Sequence, residues 1–344
     1  MGVGENGVRE EKSILTSMAV LALLLLFFWM WTLGVAAKGI ATMEMEEKIL
    51  YTGLIGKGNE FAVSPDGTRL LFTTGSLTYG LRMLDLRTGR IEAVPMESGH
   101  TWEMPSWSAD GKQVVAISTA VRDSNYIVGD MQLILIDPGT WKHWTISSGA
   151  GVKIFPFFSA DGKLIYYFKG AKRISGATPA SRFDLYAIDL VSGKEQRLTH
   201  EEFYQVTRGD DDGKTILFGA IPGAKTVKDA FGGKTQNVLL RYSMTDAVLA
   251  PATIDHSSGI SLFSNPERDK AGNLYFVAAR LPPGSGRYQW FVFRADAAGK
   301  APVALTELPI GLDFDLVRRT GEIWVMDKQG DEIVFRRLRA LAER

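Results

Sequence analysis

A polar step that ends in glycine returns between apolar runs at nearly constant spacing, and this limits the fold of the chain more than any other feature. Aligned on that glycine, VSPDGTRLLF (Gly67), WSADGKQVVAI (Gly111), FSADGKLIYYF (Gly162) and GDDDGKTILF (Gly213) are followed by two weaker copies, RDKAGNLYFV (Gly272) and VRRTGEIWVM (Gly321). The intervals are 44, 51, 51, 59 and 49 residues, at or slightly above the roughly 40 to 50 of a four-stranded propeller blade. A tight connection between antiparallel strands needs a residue at positive φ, which glycine adopts without a Cβ clash, and the Asp before it can bond turn backbone. A second turn signal follows in LRMLDLRTGRIEAV (Gly89), LYAIDLVSGKEQRL (Gly193) and WFVFRADAAGKAPV (Gly299). It reads as the hairpin between the third and fourth strands of the same blade.

Between the turns lie runs of four to seven residues rich in Val, Ile, Leu, Phe and Tyr, such as QLILID and NLYFVAA, with no long amphipathic helix among them. Helical crossovers are what a parallel sheet requires, so the pattern specifies antiparallel hairpins and an all-β, six-bladed β-propeller. Hydrophobic residues make up 45% of the 344, ample for such a core. The sixth copy ends after three strands, and KILYTGL (48–54) is expected to supply the missing outer strand. Residues near Leu50 and Tyr51 should then pair with Ile333 to Phe335, because a ring must protect its terminal edges.

Ahead of the repeats, SILTSMAVLALLLLFFWMWTLGVAA (13–37) runs 25 residues without a charge between Lys12 and Lys38. As a helix it exceeds a hydrocarbon core of about 30 Å. We expect a single N-terminal transmembrane helix, a retained signal anchor with Trp29 and Trp31 near its outer end, rather than a signal peptide cleaved after Val35-Ala36-Ala37. The division expected is a cytoplasmic N-terminus (1–12), the span (13–37), a tether (38–47) and the propeller (48–344). It places the protein in the cell membrane with the propeller on the extracytoplasmic, periplasmic side.

The SPDG and SADG turns, each followed by an apolar strand and then by DL..G, resemble the TolB-type propeller repeat, which also occurs in propeller domains of prolyl oligopeptidase and dipeptidyl peptidase relatives. The likeness covers residues 55 to 340 and is strongest in the first three copies. It implies six blades and, by the example of TolB, a periplasmic protein that contacts a peptidoglycan-associated lipoprotein, a scaffold that binds other proteins. TolB carries an α/β domain before its propeller and the peptidase relatives a hydrolase domain after it. Neither is expected here.

Lys+Arg and Asp+Glu are balanced at 39 each, so no overall field steers the chain to nucleic acid. There is no cysteine, which removes disulfides and thiolate chemistry. GVGENG (2–7) has no strand before it, GDDDGKT (209–215) has three residues between its glycines instead of four, and no G-x-S-x-G elbow occurs, so nucleotide and hydrolase motifs fail. The run Asp210 to Asp212 reads as a solvated turn rather than a calcium loop, and the four histidines fall singly. No catalytic residue, metal site or cofactor is assigned. The expected binding face is the one carrying the long second-to-third strand loops (119–131, 169–182, 219–236, 280–288). At its channel mouth, about eight residues before each turn glycine, should stand Glu60, Glu103, Lys153, Gln205 and Asp313. Beside blades three and four, Lys172, Arg173, Arg182, Lys225, Lys228 and Lys234 form a candidate basic patch for an acidic protein or cell-envelope glycan. The alternative function is a propeller enzyme of metal-dependent hydrolase or lactonase type, acting at the central channel.

Overall fold

The computed structural model describes residues 43–52, 60–73, 80–123, 125–170, 182–224, 237–255, 259–308, 313–329 and 332–340. Among them the chain forms six antiparallel sheets of four successive strands, one carrying a short extra strand, Asn125–Tyr126. The first strands of the blades are Phe61–Val63, His100–Trp107, Val152–Phe158, Val206–Asp211, Ile260–Arg268 and Phe314–Val317. These strands contact one another in order, which makes them the inner ring around an axis. The outermost strands are Ile91–Ala93, His143–Thr145, Glu195–Arg197, Leu249–Pro251, Val303–Leu308 and Met43–Thr52.

That last strand closes the ring. Met43–Thr52 pairs antiparallel with Glu332–Ala340, setting Lys48 opposite Phe335, Ile49 opposite Val334 and Tyr51 opposite Ile333. The expected joint is therefore present, and it extends further than the sequence indicated. The strand starts at Met43, so the second half of the stretch expected as tether belongs to the sheet. Segment 13–37 lies outside the described residues, among which no helix is long and apolar enough to cross a membrane.

Packing explains why the second strands are buried on both faces. Each blade is sandwiched between two others, and six apolar clusters each straddle one junction. Phe61 and Phe72 of blade 1 meet Phe335 of blade 6 edge-on, with centroids 5.4 and 5.3 Å apart. Phe168 of blade 3 meets Phe218 of blade 4 at 5.2 Å. Such rings add about 0.5–1.5 kcal/mol per pair beyond the area they bury.

The turns show why serine precedes the Asp-Gly step. In blades 1, 2 and 3 the hydroxyls of Ser64, Ser108 and Ser159 donate to Oδ1 of Asp66, Asp110 and Asp161 at 2.5, 2.8 and 2.8 Å. Each serine Oγ also accepts the amide that opens the second strand, from Arg69, Gln113 and Leu164, at 2.9 Å. The glycines sit at φ of 70, 70 and 72°. The Ser108 hydroxyl and the Lys112 amide hold Asp110 below the usual carboxylate range, and Ser159 and Lys163 do the same for Asp161.

Candidate functional site

Hydrogen bonds from inner strands and their turns link every neighbouring pair of blades. Trp107 Nε1 donates to Ala62 O at 3.1 Å, Phe155 N to Met104 Sδ at 3.3 Å and Ala160 N to Asp211 Oδ2 at 2.8 Å. Asn265 N donates to Thr207 Oγ1 at 3.1 Å, Leu316 N to Glu267 Oε2 at 3.1 Å and Val63 N to Asp315 Oδ2 at 2.5 Å. The inner strands are also bulged. Register breaks fall between Glu103 and Ser106, Ile154 and Phe157, Val206 and Gly209, and twice between Ser261 and Glu267. Met104, Phe155 and Asn265 sit at φ of 53, 51 and 47° within them. A bulge places two residues opposite one and so re-aims side chains, which is how an apolar-looking strand delivers polar groups to the axis.

Blades 4, 5 and 6 deliver charge toward the Asp-Gly hairpin end. The Arg208 guanidinium donates to Glu267, to Asp315 Oδ1 at 3.2 Å and to Phe314 O at 2.6 Å. Asp210, fully buried, accepts from Arg268 Nη1 at 2.8 Å and from Arg318. Burial opposes the charge on Arg208, but the surrounding carboxylates of Glu267, Asp313, Asp315 and Asp210 outweigh it and hold the group cationic. Burial pushes Glu267 and Asp315 up, with Arg208 opposing. A charge removed from water on this scale persists only when it is paired and hydrogen-bonded. The Asp210 to Asp212 run is thus not the solvated turn expected from sequence. Asp210 and Asp211 are buried and serve as fasteners, because the inner strand of blade 4 runs to Asp211.

Blades 1 to 3 offer a different wall. Trp107, Phe157, Phe158 and Val63 face the same space, and a cavity of about 880 Å³ lies between them and the charged half. The Phe157 ring rests directly on Gly209, where a Cβ would come within 2.6 Å of the ring. Residues of the Asp-Gly hairpins, including Pro65, Ala109 and Ala160, form the rim. This cavity opens at the end opposite the long loops.

At the loop end, three of the five expected mouth residues act on one another through their charges. The charges of Glu103 and Asp313 act on Glu60, which burial first and these neighbours second push up to about 8. Glu103 is likewise raised by burial, with the Tyr126 hydroxyl partly offsetting the effect. Asp313 Oδ1 accepts from Asn265 Nδ2 at 2.7 Å and stands 4.0 Å from Arg208. The other two expected residues make different contacts. Lys153 is fully buried and its ammonium caps Met131 O and Gly149 O, both at 2.8 Å. Gln205 is exposed, and its carbonyl accepts the Ile221 amide at 3.1 Å.

Of the basic patch, Lys172, Arg173, Lys225, Lys228 and Lys234 lie outside the described residues. Arg182 is described and stands 3.5 Å from Glu202. His100 Nδ1 lies 3.0 Å from the Ser118 hydroxyl and His143 packs edge-on to Trp102 at 4.5 Å. Sequence reasoning missed Arg208, Arg268, Glu267, Asp315 and Arg318. Their signal was the density of charge in VTRGDD, NPERDK and FDLVRR, segments whose alignment makes them inner strands and their turns.

Fold and axis together define the class: a six-bladed β-propeller whose hairpin-end cavity is walled on one side by ion pairs from blades 4 to 6. No family model matches the chain. The chain is 33% identical over 102 residues to the protein TolB homolog of Chlorobium luteolum, a match spanning 29% of this chain and 21% of that protein's length. In structure it is similar to TolB from Acinetobacter baumannii, with a TM-score of 0.55 and 16% identity over 84% of this chain and 67% of that one. It is also similar to oligogalacturonate lyase from Vibrio parahaemolyticus, with a TM-score of 0.51 and 12% identity over 88% and 98% of the two chains. At such identities the structural likeness concerns the fold alone.

Proposed function

We propose that the chain is an envelope scaffold that binds a protein partner, held at the membrane by segment 13–37 with its propeller on the extracytoplasmic side. The observation carrying this reading is the cavity of about 880 Å³ at the hairpin end. Its apolar wall offers a place for an inserted side chain, and its charged wall is cross-braced by its own ion pairs, so it is rigid before a partner arrives. Pre-organisation of that kind lowers the cost of ordering a bound segment. The TolB-type repeat supports the same class of partner. A photo-crosslinking side chain placed at Ala109, on the rim, in the full chain expressed in intact cells should give a protein adduct. The same group at Val191, exposed on the outer part of blade 3, should give none. Equal labelling from both positions, or none from either, overturns the reading. Protease added outside spheroplasts should cleave the propeller, and full protection would reverse the topology.

A channel enzyme is the second reading, and one observation favours it. A carboxyl such as Glu60, pushed up to about 8, keeps a proton at neutral pH, which is the state a general acid needs. A stoichiometric divalent ion in the purified full chain would move the balance to the hydrolase or lactonase type.

A further inference from the structure

The loop end of the channel holds acceptors that the described residues do not satisfy. Glu60 stands just before the inner strand of blade 1 and Glu103 lies within that of blade 2. Glu60 Oε2 and Glu103 Oε1 are sealed from solvent and have no hydrogen-bond partner among the described residues. Asp313, their neighbour from blade 6, is served by Asn265 and lies near Arg208, so the deficit is confined to the two glutamates. Tyr126, on the short strand paired with the second strand of blade 2, stands at Glu103 and is 40% exposed. The ring is thus exposed while the two carboxylate oxygens behind it are not.

A buried acceptor left without a donor is destabilising, and in a native structure each such group calls for an explanation. The missing group must donate hydrogen bonds, and the charge of the cluster asks that it be positive. A metal ion is the poorer fit, since no three Asp, Glu or His side chains among the described residues converge as ligands. A guanidinium demands a planar fork, whereas an ammonium is compact and donates three bonds in separate directions. Two of those directions suit carboxylate oxygens from adjacent blades, and an aromatic face beside a cation adds attraction.

We propose that the loop-side mouth of the channel is a binding site for a primary ammonium group, held between Glu60 Oε2 and Glu103 Oε1 and flanked by the Tyr126 ring. The site is distinct from the hairpin-end cavity and does not depend on the reading of that cavity. An ammonium of this kind comes either from a lysine side chain in a peptide or from a small free amine. Glu60 has to ionise to accept it. The groups that bear on that ionisation are Glu103, Asp313 and the Thr73 hydroxyl.

The test is calorimetric titration of the full chain in detergent with three probes at constant ionic strength: ethylammonium, an acetylated Gly-Lys-Gly amide and its norleucine counterpart. The expected result is binding of at least one ammonium probe but not of the norleucine peptide, with proton release. The affinity should rise between pH 6 and pH 8, approaching tenfold per unit when about one proton is displaced. Preference for the lysine peptide identifies a protein source, and preference for ethylammonium a metabolite source. Glu60→Gln should weaken binding at least about tenfold, through the loss of one charge-assisted bond, and flatten the pH dependence. Should Glu60→Gln fail to fold, Glu103→Gln is read instead for the same loss. Tyr126→Phe, which keeps the ring, should bind the preferred probe with little loss. Equal binding of the lysine and norleucine peptides without ethylammonium binding, no binding of either ammonium probe, or unchanged affinity in the glutamine variants would overturn the proposal.

Discussion

The two ends of the axis contain the same kind of side chain and treat it in opposite ways. At the hairpin end Asp210, Glu267 and Asp315 meet Arg208, Arg268 and Arg318, and backbone amides of Leu316 and Val63 take up further lone pairs. At the loop end Glu60 and Glu103 each keep a sealed oxygen without a donor among the described residues. These groups stand at different levels of the same inner ring, so burial alone does not separate them. Counter-charge does. Where blades 4 to 6 supply arginine, carboxylates tie blade to blade. Where blades 1 and 2 supply none, the carboxylates remain a demand that something outside the chain can meet.

Removing the arginine that serves three carboxyls should have the largest effect on this contrast. In Arg208→Met, Glu267 and Asp315 stay buried without their cation, and breaking a buried pair in this way costs about 3–5 kcal/mol. Urea unfolding of the full chain in detergent, followed by tryptophan fluorescence, should show a loss of that size. Adding Glu267→Gln should restore part of it, because the variant then has one fewer unpaired charge. A loss below about 1 kcal/mol would mean that water already reaches the network, and the two ends would no longer differ in kind.

The second effect is a pH dependence assigned to the loop end. In the folded chain burial and its acidic neighbours hold Glu60 at about 8, against 4.5 for the free side chain. Between those values the folded state binds the proton and the unfolded state does not. Stability from Glu60 is therefore full below about pH 4.5 and declines as pH rises towards 8. Each unit corresponds to about 1.4 kcal/mol, so an overall change of a few kcal/mol is expected. Glu267 and Asp315 are raised too, so the quantity to measure is the difference between wild type and Glu60→Gln from pH 4.5 to 8. That difference should shrink or reverse with rising pH. If it is flat, Glu60 is solvated and the comparison of the two ends fails at its loop side.

The propeller was legible because its determinants are local and periodic. The glycine at positive φ, the Asp before it and the apolar strand after it fall within ten residues, and the closing strand follows from counting strands in the sixth copy. The axis was less legible because it is assembled from positions about fifty residues apart whose aim is set by bulges. Spacing from the turn glycine named Glu60, Glu103 and Asp313, and the charges of the latter two act on Glu60. Lys153, named by the same spacing, turns its ammonium to the carbonyls of Met131 and Gly149. Sequence reasoning misread Asp210 and Asp211, since Asp210 is held by Arg268 and Arg318 and Asp211 by the Ala160 amide, all on other blades. Pair partners of this kind leave no mark in the local sequence.

The smallest effect tests whether the hairpin end is rigid because of its turns as well as its ions. Ser159 Oγ donates to Asp161 at 2.8 Å and accepts the Leu164 amide at 2.9 Å. In Ser159→Ala the Leu164 amide loses that side-chain acceptor and Asp161 loses a donor that holds it ionised. A net hydrogen bond contributes about 0.5–1.5 kcal/mol, and the turn is partly open to water, so a loss of about 1 kcal/mol is expected with the sheet intact. The informative readout is local. Amide exchange at Leu164 should speed up, while exchange in the second strand of blade 5, Leu274–Arg280, should not change. Because Ala160, next in the turn, donates to Asp211 across the blade 3 to blade 4 junction, exchange at Ala160 should also rise. If Ala160 stays protected while Leu164 opens, Asp211 alone holds that junction, and the rigidity of the cavity rim belongs to the charged network rather than to the repeat that defines the fold.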